Sequence, residues 1–163
     1  MRNSDIIQQK IFTLPELLKQ INRWRLMNKT ISFTNGCFDI LHEGHIFSLS
    51  QAAAEADFLI VGVNADASVK KIKGENRPIN NEQPRAFLLA SLVMVEAVVI
   101  FEEDTPLNLI NAVLPDVLVK GGDYSIDEIV GAKEVIANGG KVVINPILQG
   151  FSTTALLEKI HKL

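Results

Sequence analysis

The chain has 163 residues, 47% of them hydrophobic, which is enough for one sizeable core and suggests a single domain spanning 1–163. Its formal net charge of −3 and pI near 5.6 lack the basic excess that nucleic-acid binders use against phosphates, so nucleic acid is not an expected partner. No apolar run reaches the roughly 18 residues of a membrane span, the start MRNSDIIQQK lacks a signal-peptide core, and the single cysteine, Cys37, cannot form an internal disulfide. These features lead to the expectation of a cytoplasmic protein without a membrane partner.

Residues 1–28 read as a helical segment ahead of the first core strand. Leu14, Leu17, Leu18 and Ile21 recur at three- and four-residue steps, with Thr13 before Pro15 as the cap. Thr30 to Thr34 reads as a short strand closed by a tight turn at Asn35 and Gly36, and Ile46 to Ala56 as a helix. Phe58 to Asn64 is a continuous apolar run of the kind that parallel strands buried on both faces display. The polar tract from Lys70 to Pro84 reads as a long irregular piece, a candidate lid.

Alternation continues with a helix over Arg85 to Val93, a strand over Ala97 to Phe101, a helix over Pro106 to Val113 and a strand over Val117 to Val119. A helix over Glu128 to Asn138, a strand over Lys141 to Ile144 and a last helix from Thr153 to Leu163 complete the pattern. The expected class is α/β, a Rossmann-like doubly wound parallel sheet flanked by helices, with its ligand at the carboxyl edge. A Rossmann dehydrogenase is disfavoured, because no Gly-x-Gly-x-x-Gly follows the first strand.

The segment TNGCFDILHEGH, Thr34 to His45, gathers two glycines, an aspartate and two histidines between a strand and a helix. Gly36 would let backbone approach a triphosphate, with the amides of Cys37 and Phe38 beside it. His42 and His45 could converge on one oxyanion at the helix start, with Gly44 leaving space between them. Nucleotidyl transfer needs positioning and charge stabilisation more than a nucleophilic side chain, so two imidazole donors suit it. The plainer reading, a polar loop and a helix cap, is outweighed by this context in a chain with three histidines, the third of which, His161, lies in the terminal helix.

This stretch resembles the signature of the cytidylyltransferase-like nucleotidyltransferase superfamily: a strand, a glycine-containing turn and His-x-Gly-His. The resemblance runs through VNADAS, KKIKG, RPI, FEEDTP, VKGGDY and GFSTT, between Val63 and Thr154, and is similar to the D-glycero-β-D-manno-heptose 1-phosphate adenylyltransferase family. It implies transfer of AMP from ATP to a heptose 1-phosphate in ADP-heptose and lipopolysaccharide biosynthesis. It further implies a stand-alone form of a domain elsewhere fused to a sugar kinase, served here by a separate kinase.

By the same resemblance His42 and His45 contact the triphosphate, and Lys70 and Lys73 neutralise phosphate charge from a mobile region; the plain alternative is a solvated lysine cluster. Arg77 could bind the sugar phosphate bidentately. Asp39 could contact the acceptor, orient a histidine or cap a turn. Asn64 and Asp66, at a strand's carboxyl end, are sugar-contact or turn residues. Lys120, Gly121 and Gly122 follow another strand, suiting nucleotide contact or a glycine turn. Ser152, Thr153 and Thr154 cap the last helix and, in the superfamily, its start meets nucleotide phosphates.

Mg²⁺ bridging the triphosphate is expected, with protein ligands unassigned. A homodimer is a further expectation, with the helix from Pro106 to Val113 offering apolar surface. Glycerol-3-phosphate cytidylyltransferases carry Arg-Thr-Glu-Gly where this chain has Ile147, Leu148, Gln149 and Gly150. Pantetheine-phosphate and nicotinamide-mononucleotide adenylyltransferases carry an arginine where this chain has Leu157. Both departures favour the heptose-type reading over a CTP-dependent enzyme acting on glycerol 3-phosphate. A non-catalytic nucleotide-binding module is the remaining alternative.

Overall fold

The computed structural model describes residues 5–146 together with 148, 150, 153 and 157. A short helix α1 (Asp5–Gln8) leads into a two-residue strand β1 (Ile11–Phe12), so the N-terminal segment is not wholly helical. The strand escapes a pattern reading because two residues show no period. It exists because the edge of β4 (Ala97–Phe101) offers its ladder, pairing Ile11 with Val98 and Phe12 with Val99.

Helix α2 (Leu14–Leu26) begins where Glu16 reaches back to accept from the Thr13 amide at 3.0 Å and the Thr13 hydroxyl at 2.6 Å. Its inward stripe is Leu17, Ile21 and Trp24, while Leu14 stays exposed. Strand β2 (Ile31–Gly36) runs through the expected Asn35–Gly36 turn, because the neighbouring strand β3 (Phe58–Asn64) continues alongside and pairs Asn35 with Gly62 and Gly36 with Val63. Between these strands, α3 (Glu43–Ala53) starts three residues earlier than expected, with His42 as its N-cap.

The tract read as irregular is half helical: α4 (Asp66–Lys73) buries Ser68 and Val69 and carries its lysines on the outside until Gly74, at φ 101°, ends it. Helix α5 (Glu82–Ala90) precedes β4, and α6 (Leu107–Val113) follows it. The apolar residues of α6, Leu109, Ile110 and Val113, are buried in the core, so this helix does not offer the apolar dimer surface expected of it.

Strand β5 (Val117–Gly121) is followed by a 3₁₀ turn (Ile126–Glu128) and a short α7 (Ala132–Ala137) in place of one continuous helix. Gly131 makes that break. It sits at φ 85°, and a Cβ there would lie 2.7 Å from Ile110. Strand β6 (Lys141–Asn145) ends the sheet, and Thr153 and Leu157 are helical; the rest of the expected last helix lies outside the described residues.

The strands form one parallel sheet in the order β1-β4-β3-β2-β5-β6. Leu17, Ile21, Phe33, Ile60, Ile110 and Val135 fill one face, and Leu49, Leu59, Val61, Val63 and Leu89 the other. The apolar run of β3 thus feeds both layers, as expected of a doubly wound sheet. From β2 the chain steps outward to β3 and β4, then crosses to β5 on the opposite side of β2. The carboxyl ends of β2 and β5 flank that reversal, where such sheets open a ligand crevice. No described helix is long and apolar enough to cross a membrane.

Candidate active site

A cavity of about 680 Å³ opens at this carboxyl edge, within the range of small-molecule sites. The loop leaving β2 forms its floor with Asn35, Gly36, Cys37, Phe38 and Asp39, and the start of α3 contributes His42, Gly44 and His45. The two imidazole rings stack with centroids 3.9 Å apart and planes inclined by 26°, and the Phe38 ring leans on His45 at 5.5 Å. Phe38 holds a left-handed backbone, φ 47°, that folds its ring back over Gly36; a Cβ on Gly36 would come within 3.1 Å of that ring. A side chain at position 36 would therefore press on the Phe38 ring, which would have to shift to admit it.

Burial first, then the proximity of His42, lowers His45 to about 4, and burial also lowers His42. Both rings are thus neutral near pH 7. The Nδ1 of His45 is buried without a hydrogen-bond partner among the described residues. At the start of α3 the His45 amide donates to the His42 carbonyl at 2.9 Å, and the Glu43 and Gly44 amides ahead of it are the orphan donors of the first turn.

Two buried residues fix this floor. Asp39, 2% exposed, accepts hydrogen bonds from the Ile79 and Asn80 amides at 2.9 and 2.8 Å and from Arg77 Nε at 2.6 Å. Burial raises its carboxyl, but the Asn80 and Ile79 amides and the Arg77 guanidinium together outweigh that and hold it below the usual carboxylate range. Its carboxylate holds the loop that presents Arg77 to the cavity.

Arg85, fully buried, donates to the carbonyls of Asn80 at 2.9 Å, Cys37 at 2.5 Å and Asn64 at 2.8 Å, and to Asp66 Oδ1 at 2.8 Å. One side chain thereby ties together the ends of β2 and β3, the start of α4 and the loop before α5. Asp66 is engaged by this pair and is not among the residues lining the cavity. Asn64 does line the cavity, with its amide donating to Ser68 Oγ at 3.0 Å.

Of the two lysines singled out, Lys73 lines the cavity and Lys70 does not; three residues apart, they share one side of α4, and Lys73 stands at its C-terminal end. Lys71 instead pairs with Asp104 at 2.7 Å. Across the cavity, Lys120 and Gly121 line the wall beside Ser48, and burial pushes the Lys120 ammonium below its usual range. Gly122 is buried and not among the lining residues, at φ 130°, its amide donating to the Asn145 carbonyl at 3.1 Å. Thr153 lines the cavity, whereas Ser152 and Thr154 lie outside the described residues. Burial raises the Cys37 thiol, partly opposed by Lys73, Arg85 and Arg77, so it stays protonated and is no nucleophile.

Sequence reasoning missed Arg85, Asp104, Thr105 and Tyr124, of which the last three line the cavity. Arg85 left one signal: it stands with Ala86, Leu89 and Ala90 on the buried stripe of α5, where a charge demands buried partners.

Lys73, Arg77 and Lys120 concentrate positive charge in a chain of net charge −3, around two neutral donors and without an activated nucleophile. That arrangement suits direct transfer between two phosphates, and the class it defines is that of the nucleotidyltransferases. Residues 33–159 match the cytidylyltransferase-like family, and the chain belongs to that family.

It is 54% identical over 156 residues to the bifunctional protein HldE of Koribacter versatilis, covering 96% of this chain and 32% of that protein. It is 57% identical over 144 residues to HldE of Nitrobacter winogradskyi, covering 88% and 30%. The chain thus spans about a third of the length of these relatives. Among solved structures, the lipopolysaccharide core biosynthesis protein of Thermoplasma volcanium is 30% identical with a TM-score of 0.60, covering 74% of this chain and 97% of that one. Pantothenate synthetase of Thermus thermophilus shares the fold at 17% identity, with a TM-score of 0.64 and coverage of 94% and 70%.

Proposed function

We propose that this chain transfers AMP from ATP to D-glycero-β-D-manno-heptose 1-phosphate, giving ADP-heptose and pyrophosphate. The observation that carries the reading is the stacked His42–His45 pair at the start of α3, both lining a cavity that Lys73, Arg77 and Lys120 also line. An oxygen of the acceptor phosphate attacks the α-phosphorus, the bond to the bridging oxygen breaks, and pyrophosphate leaves with the electron pair. The histidines and the first amides of α3 donate to the oxygens on which charge develops. Lys73 meets the departing phosphates from α4, Arg77 binds the acceptor phosphate, and Lys120, Gly121 and Thr153 hold the nucleotide.

Magnesium would accompany the triphosphate and neutralise its oxygens. Among the described residues no three potential metal ligands gather. The relatives are named bifunctional and are about three times as long; a sugar kinase acting before this step would supply the acceptor. If the chain forms a homodimer, exposed Phe87, Leu88 and Val93 are better candidates for the contact than α6.

Pyrophosphate release from ATP and separately from CTP, with magnesium and heptose 1-phosphate, glycerol 3-phosphate or phosphocholine, tests the reading. Turnover confined to ATP with heptose 1-phosphate is expected. Turnover with CTP would keep the mechanism and change the substrate; nucleotide binding with silence across the panel would defeat the transferase reading.

A further inference from the structure

The cavity has two chemically different halves. Beyond β5, Tyr124, Val130 and Pro146 line the cavity along with Lys120, a largely apolar set that suits a planar base. Beyond β3 and β4, the wall is Asn64, Lys73, Arg77, Asp104 and Thr105, a set rich in donors and acceptors. The reversal of strand order lies between them, so the reacting phosphates sit centrally and the acceptor faces the polar half.

Asp104 is the anomaly in that half. A carboxylate on the wall of a cavity for anionic substrates weakens binding by repulsion unless it meets a hydrogen-bond donor. Lys71 occupies Oδ1 at 2.7 Å, and among the described residues Oδ2 accepts no hydrogen bond. Both side chains are about two-thirds exposed, so this ion pair alone contributes little to stability. Thr105 stands beside Asp104 with a hydroxyl that can donate or accept. Lys73 and Arg77 face phosphate, leaving Asp104 and Thr105 to face the uncharged end of the acceptor.

We propose that the Asp104–Thr105 turn after β4 is the acceptor-recognition element, with the Asp104 carboxylate accepting from a hydroxyl of a sugar phosphate and thereby selecting polyhydroxylated acceptors. This deepens the transferase reading above and rests on it. Because Lys71 holds the same carboxylate, the turn also anchors α4, which brings Ile72 and Lys73 to the cavity. Recognition and anchoring are therefore separable by substituting one partner or the other.

The test is steady-state kinetics of the full chain with magnesium, ATP and heptose 1-phosphate, comparing Asp104→Asn with Lys71→Ala, each checked for an unchanged thermal midpoint. Asp104→Asn keeps the volume and removes the charged acceptor. It is expected to raise the acceptor KM roughly 10- to 100-fold while the ATP KM stays within about twofold, as for loss of a hydrogen bond to a charged group. Lys71→Ala is expected to change either KM by less than about threefold, in keeping with an exposed ion pair.

An unchanged acceptor KM in Asp104→Asn, or equal rises in both variants, overturns the proposal by reducing Asp104 to an anchor for α4. If wild type ignores heptose 1-phosphate but uses glycerol 3-phosphate, the choice of sugar fails. The same two variants assayed on glycerol 3-phosphate then decide Asp104 independently, since that acceptor also carries hydroxyls. Wild-type silence with every acceptor overturns both readings.

Discussion

Asp39 and Arg85 lie inside the protein, 2% and 0% exposed, and join the loop after β2 to the ends of β3 and α4 through hydrogen bonds of 2.5 to 2.9 Å. Lys70, Lys71 and Lys73 are exposed on α4, which one ion pair between Lys71 and Asp104, itself exposed, ties to the turn after β4. Both regions supply the same cavity, yet one is locked and the other is lightly held. The difference follows from their tasks. Donors that must meet charge at a fixed point gain from a rigid, water-poor setting, whereas a cation that follows the phosphates needs room to approach and withdraw.

The largest effect should come from breaking the locked region. Arg85→Leu leaves three carbonyls and the Asp66 carboxylate without their buried partner, and a loss of about 3–5 kcal/mol in urea unfolding is expected. A shift no larger than that of a surface substitution would show the lock to be unimportant.

His45→Ala comes next. The fold should persist, while pyrophosphate release falls by about 10²- to 10³-fold, as when one oxyanion donor is removed. Near-normal turnover in the folded variant would take His45 out of the mechanism.

The lightly held region is sharpened by comparing Lys73→Ala with Lys70→Ala. The first should lower kcat by roughly 10- to 100-fold and the second by about twofold at most, since loss of a charge acting on phosphate costs far more than loss of a solvated one. Equal effects would mean that α4 rearranges and that Lys70 also serves.

The smallest effect is a pH dependence of stability. His45 titrates near 4 in the folded chain against an ordinary value of 6.5, so between these values the unfolded chain binds a proton that the folded chain does not. Stability should therefore fall as pH drops through that window, and His45→Gln should flatten the slope measured by thermal unfolding. Parallel slopes in both proteins would mean that His45 is not shielded.

The motif from Thr34 to His45 was legible because its chemistry is contiguous: strand, glycine, histidines and helix start follow one another within twelve residues. The expected lid was misread as irregular, since α4 has only two buried residues and little apolar periodicity to announce it. Lys70 and Lys73 were indistinguishable in the sequence. Only the tertiary structure brings the C-terminal end of α4, with Lys73, to the cavity, just as only pairing with β4 makes a strand of Ile11 and Phe12.

The sequence by itself determined the alternation of strands and helices, the doubly buried β3 and the paired histidines, because each is written in neighbouring residues through period, composition or motif. The tertiary structure decided which polar residues face ligand and which face one another. Arg85 lies 48 positions from Cys37, and Asp104 lies 33 from Lys71; spacing along the chain carries no record of such contacts until the sheet brings its carboxyl ends together.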